Sequence, residues 1–157
     1  MRFEHGRIAT LQEERLYPNA CRGEPLIRPR VLLADDHVAL FEAELALLSA
    51  HFDVVGTAAD GAALVEEARS LCPDVIVTDI SMPILSGIEA VRKVRESGSR
   101  AQFVFLTVHR EKEFVEACME AGALGYVQKY RMNQDLMPAI LAALAGQSYV
   151  SKLGSTA

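Results

Sequence analysis

From Val75 to Ala90 the chain reads Val-Ile-Val-Thr-Asp-Ile-Ser-Met-Pro-Ile-Leu-Ser-Gly-Ile-Glu-Ala. The first four residues are apolar or β-branched at every position, without the alternation of a half-buried strand; this is the pattern of a strand covered on both faces. An acid, Asp79, closes the run. Pro83 then fixes φ and Gly87 permits a tight turn, so the loop delivers the chain into a helix over residues 87–97. Strand, terminal acid and helix make one βα unit.

The same unit recurs on either side. Short apolar stretches at 31–34, 53–58, 102–106 and 124–128 read as further strands, and amphipathic stretches at 38–50, 62–71, 112–121 and about 134–145 read as helices. In the second helix Ala63, Leu64, Ala68 and Leu71 form an apolar face while Glu66, Glu67 and Arg69 fall elsewhere. Gly122 and Gly146 stand where helix C-terminal caps are wanted. Pro138 lacks a backbone donor, so the last helix is expected to start late, near Asp135, or to be locally distorted. The repeat predicts an α/β, doubly wound sheet of five parallel strands with five helices, occupying residues 30–147. Residues 1–29, broken by Pro18, Pro25 and Pro29, read as an N-terminal extension, and 148–157 as a tail or the start of a linker.

At 157 residues, half of them apolar, the chain is sized for one core. No run approaches the ~18 apolar residues of a membrane span, and the first twenty residues mix Glu and Arg without a signal-peptide apolar stretch. No membrane partner is expected. Cys21, Cys72 and Cys118 are scattered without metal-ligand spacing, which suits free thiols in the cytoplasm. Residues 1–30 hold six Arg and four Glu; the remainder holds ten basic and seventeen acidic residues, about −7. DNA affinity rests on basic side chains that neutralise phosphates, so this chain alone is not expected to bind DNA.

In a right-handed βα repeat the carboxyl ends of adjacent strands converge on one crevice, where open α/β sheets bind ligands. The first strand ends in Asp35 and Asp36, the third in Asp79, the fourth in Thr107, and the fifth in Lys129. Taken singly, each Asp is an ordinary turn former or helix cap. Together, three acids at neighbouring strand ends repel unless a cation offsets them. Hard oxygen ligands suit Mg²⁺. A carboxylate beside such an ion can act as a nucleophile toward phosphorus, with Lys129 supplying fixed positive charge.

Four segments then carry a resemblance: Val-Leu-Leu-Ala-Asp-Asp-His at 31–37, Asp-Ile-Ser-Met-Pro-Ile-Leu-Ser-Gly-Ile-Glu-Ala at 79–90, Leu-Thr at 106–107, and Gly-Ala-Leu-Gly-Tyr-Val-Gln-Lys at 122–129. In order and spacing they resemble the response-regulator receiver family of two-component signalling, over about residues 30–147. The resemblance implies a flavodoxin-like fold of strand order 2-1-3-4-5. It implies a phosphoacceptor rather than a turnover enzyme, with Asp79 as acceptor of a phosphoryl group from a sensor histidine kinase or phosphotransfer protein. Mg²⁺ would be held by Asp35, Asp36, Asp79 and the Ser81 backbone carbonyl. Thr107 and Lys129 would bind phosphoryl oxygens, and Tyr126 would be the rotamer partner of Thr107 in a switch read out on the face of the fourth helix, fifth strand and fifth helix. A homodimer through that face, or another helix face, is a further expectation.

Ser81 and His109, two residues beyond Asp79 and Thr107, are candidates for tuning phosphate lifetime; His37 and His51 read as capping or packing residues. Position 130, proline in much of the family, is Tyr here, which leaves the Lys129–Tyr130 peptide isomer open. The stretch 139–151 resembles the exit of NarL/FixJ-type regulators, which continue into a LuxR-like helix-turn-helix. That points to the receiver part of a DNA-binding transcription regulator; a stand-alone or degenerate receiver used as an interaction or dimerisation module is the alternative. An aspartate-based phosphatase of the haloacid dehalogenase type would need a second Asp two residues after the nucleophile, where Ser81 stands.

Overall fold

The computed structural model describes residues 28–153; the expected extension lies almost wholly outside the described residues. Strands β1 (Arg30–Ala34), β2 (Asp53–Ala58), β3 (Val75–Thr78), β4 (Gln102–Thr107) and β5 (Gly125–Gln128) alternate with helices α1 (Val38–Ser49), α2 (Gly61–Leu71), α3 (Gly87–Glu96), α4 (Lys112–Glu120) and α5 (Met132–Leu144). A sixth strand, β6 (Tyr149–Val150), follows, and the sheet runs β2-β1-β3-β4-β5-β6 with every pairing parallel.

The order reverses between β1 and β3, so their carboxyl ends open a crevice in which Ala34 pairs with Thr78 and the next residues on each strand are Asp35 and Asp79. Alternation along β1 assigns the two faces. Leu32 and Ala34 join Ile76, Phe103, Phe105 and Tyr126 under α2, α3 and α4. Val31 and Leu33 join Val75, Val77, Val104, Leu106 and Val127 under α1 and α5. Both faces are covered, which is why the central strands are continuous apolar runs.

The helix starts have local causes. Asp60 caps α2 by accepting from the Ala63 amide at 2.7 Å, and Ser86 with Glu89 forms a capping box at α3. The last helix corrects the late start expected from Pro138: it starts at Met132, after a 3₁₀ turn at Lys129–Arg131, and carries the proline inside. Among the described residues no peptide is cis, so Lys129–Tyr130 is trans.

The sixth strand adds to the five expected. Tyr149 N–H donates to Leu124 O and Ser151 N–H to Tyr126 O, each at 2.8 Å. Asp135 of α5 fastens the strand from behind, accepting from Tyr149 Oη at 2.9 Å, Ser151 Oγ at 2.6 Å and Arg131 Nε at 2.8 Å. No described helix is long and apolar enough to cross a membrane.

Candidate functional site

Backbone hydrogen bonds set the depth of the site. Asp35 N–H donates to Ala58 O and Asp79 N–H to Ala34 O, both at 3.0 Å, so the two acids continue the sheet by one residue beyond β1 and β3. Asp35 and Asp79 are buried while Asp36 is exposed. Lys129, at the start of the 3₁₀ turn, points back into the crevice and is 5 % exposed.

Lys129 Nζ donates to Asp79 Oδ2 at 3.0 Å and stands 2.5 Å from Asp35 Oδ2. Burial pushes its pKa down, but hydrogen bonds and charges from Asp35 and Asp79 outweigh this and hold it above the usual lysine value. For Asp35 burial pushes upward, and Glu44, Lys129 and the His37 amide together pull the carboxyl below its ordinary value. Asp79 Oδ1 accepts from the Ile80 amide at 2.6 Å. The nucleophile candidate is therefore held at both oxygens.

Thr107 and Tyr126 form a second group, joined to each other through His109. The His109 amide donates to Thr107 Oγ1 at 3.1 Å, and its carbonyl accepts from Tyr126 Oη at 2.8 Å and Gln128 Nε2 at 2.6 Å. Its ring stacks on Phe114 at 4.1 Å, and Nε2 meets Ser81 Oγ at 2.8 Å across the mouth of the site. Tyr126 is fully buried, and burial first, then nearby acidic groups, push its phenol far above the usual value.

Two residues were missed by sequence reasoning. His37, read as a cap or packing residue, occupies the N-cap position of α1 without a side-chain capping bond. Its Nδ1 instead lies 3.1 Å from both Asp35 Oδ1 and Asp79 Oδ2 and 2.9 Å from Lys129 Nζ. Glu44 of α1 is 0 % exposed, its Oε2 3.8 Å from Lys129 Nζ. Burial, then the neighbouring Asp35 carboxylate, push its pKa to about 8. The signal for Glu44 was present: it sits four residues before the buried Leu48, on the apolar stripe of its helix.

One oxygen each of Asp35, Asp36 and Asp79 and a ring nitrogen of His37 lie within 4.8 Å of one another. Three carboxylates facing one ammonium leave negative charge uncompensated, and the donors fit a divalent cation. Beside them, a cleft of about 660 Å³ lined by Asp36, Ile80, Ser81, Met82, Pro83, Ser86, Ile88 and Phe114 gives access from solvent.

Comparison with known proteins places this geometry. Residues 31–141 match the response regulator receiver domain. The transcriptional regulatory protein MctR of Rhizobium johnstonii is 34 % identical over 78 % of this chain and 58 % of its own length. The response regulator GacA of Pseudomonas viridiflava is 38 % identical over 78 % of this chain and 58 % of its own. The chain thus spans a little over half the length of these relatives. A two-component response regulator of the LuxR family from Aurantimonas sp. SI85-9A1 superposes with a TM-score of 0.76 at 35 % identity, covering 80 % of this chain and 91 % of that one. With its doubly wound sheet and the acids at the β1–β3 switch point, the chain belongs to the response-regulator receiver family.

Proposed function

We propose that Asp79 accepts a phosphoryl group from a phosphohistidine on a sensor kinase or phosphotransfer protein. A carboxylate oxygen of Asp79 attacks phosphorus as the P–N bond of the donor breaks, and the electron pair leaves on the imidazole nitrogen. The observation that carries this reading is the Asp79 carboxylate itself, 1 % exposed yet bonded to Lys129 Nζ and the Ile80 amide beside two more acids. Mg²⁺ on Asp35, Asp36, Asp79 and the Ser81 carbonyl would neutralise phosphoryl oxygens. Lys129 and Thr107 hold the transferred group, and Ser81 and His109 close the mouth against water.

Movement of Thr107 toward phosphate breaks its bond from the His109 amide, and the loop that fixes Tyr126 and Gln128 moves with it. The face of α4, β5 and α5 changes in consequence, offering a surface for a homodimer or a partner. The name of MctR as a transcriptional regulator, the LuxR-family structure and the partial coverage of the longer relatives support a cytoplasmic DNA-binding regulator of which this is the receiver. The acidic balance of residues 31–157 leaves DNA contact to another domain.

The test is intact mass after incubation with acetyl phosphate and Mg²⁺, on the parent chain and on Asp79→Asn. One labile phosphate adduct that requires Mg²⁺ and disappears in the variant is expected. Absence of an adduct together with no binding of beryllofluoride would overturn the reading in favour of an interaction module.

A further inference from the structure

The ring of His37 stands between two carboxylates and an ammonium. Its Nδ1 faces Asp35 Oδ1 and Asp79 Oδ2 at 3.1 Å, Asp36 Oδ1 at 3.7 Å and Lys129 Nζ at 2.9 Å. A ring nitrogen bears either one proton or one lone pair. With a proton it is set against the ammonium; with a lone pair it is set against the carboxylates. An unprotonated Nδ1 joins Asp35 Oδ2 and Asp79 Oδ2 on the ammonium, and the same lone pairs can serve one shared dication once Lys129 withdraws.

The separations agree with that arrangement. Neighbouring ligand atoms around an octahedral ion with bonds of about 2.1 Å stand about 3 Å apart, close to the 3.1, 3.1 and 3.7 Å found. The His37 amide donates to Asp35 Oδ1 at 2.8 Å, which fixes the residue beside the acids. Its side chain is 46 % exposed, so an ion reaches it from solvent. A second, independent feature points the same way: both oxygens of the fully buried Glu44 lack a hydrogen-bond partner. The pocket holds more acceptors than its ammonium can serve. Glu44, 3.8 Å behind Lys129 Nζ, gives that ammonium a place to withdraw as a cation enters.

We propose that His37 Nδ1 is a ligand that turns the acidic pocket into a mixed oxygen–nitrogen site, selective for first-row transition-metal dications such as Mn²⁺, Co²⁺ or Ni²⁺ through a bond Mg²⁺ does not use. Imidazole suits these ions, whereas Mg²⁺ keeps to carboxylate and water oxygens. The inference rests on the reading of the pocket as a cation site and adds a ligand and a metal class to it.

Two measurements on the full chain test it. With Mn²⁺ bound, electron spin-echo envelope modulation of the parent protein shows coupling to one directly bonded imidazole nitrogen, and His37→Gln loses it. In calorimetric titrations His37→Gln and His37→Ala weaken Ni²⁺ at least tenfold and change Mg²⁺ by less than twofold. Absence of nitrogen coupling in the parent, its persistence in His37→Gln, or an equal loss for Ni²⁺ and Mg²⁺ overturns the proposal. Acetyl phosphate labelling with Mg²⁺ on the same preparations separates the two readings. An Asp79 adduct without nitrogen coupling removes the His37 ligand alone; no adduct and no dication binding removes both.

Discussion

A side chain at position 87 would put its Cβ 1.8 Å from the backbone carbonyl oxygen of Asp79. Gly87 therefore does more than permit the turn expected of it: its amide donates to Ile80 O at 2.7 Å, and α3 starts in direct contact with the backbone of Asp79. Gly87→Ala is expected to cost about 1–3 kcal/mol as the loop and helix are forced apart. Urea unfolding measures that cost, and the yield of acetyl-phosphate adduct falls with it; unchanged values for both would mean the backbone adjusts freely.

Glu44 makes stability depend on pH in an unusual direction. Its carboxyl titrates near 4.5 when unfolded and near 8 when folded. Between those values the folded state binds the extra proton, so stability is fully present below the unfolded value and declines as pH rises toward 8. Urea midpoints of metal-free parent and Glu44→Gln should be similar at pH 5 and diverge by pH 8, with the variant the more stable. Parallel curves across that range would show that the group is ionised throughout.

Asp135 is expected to hold β6 in place. Burial pushes its pKa up, but bonds from Arg131, Ser151 and Tyr149 outweigh this and hold it below the ordinary value, so its contribution is lost as pH falls through the carboxylate range. Asp135→Ala removes the hydrogen bonds of three side chains to a charged acceptor and should cost roughly 2–4 kcal/mol. Hydrogen exchange at the amides of Tyr149 and Ser151 should accelerate far more than at β1, because those amides bond only across the β5–β6 edge.

His109→Ala should shorten the lifetime of the aspartyl phosphate severalfold, because it removes both the Phe114 stack and the bridge to Ser81 that cover the mouth. Ser81→Ala, which breaks only the bridge, should give a smaller effect. Loss of labelled phosphate with time measures it, and equal lifetimes in all three proteins would remove the covering role.

The legible parts of this molecule were those written in local pattern. Val75–Thr78 is apolar throughout because both faces of β3 are covered, and the strand-end acids stand one residue past each run. Pro138 misled because the helix tolerates it inside, where α5 packs on the sheet through Leu136, Ala139 and Ile140. Two residues, Tyr149 and Val150, are too short a run to announce a strand; only the exposed edge of β5 creates one. His37 and Glu44 carry charge-bearing groups whose meaning lies in Lys129, some ninety residues along the chain.

The short β6 also governs how copies of this domain can meet. An unpaired edge strand is a template for another chain, and on this side the sheet's own continuation occupies Gly125 and Tyr126 before any neighbour can. Growth of the sheet from one molecule into the next is disfavoured there, because the edge left free is only the two residues of β6. A dimer on that side would draw on helix side chains, a contact open to rearrangement in a way that a continuous ladder of backbone hydrogen bonds is not.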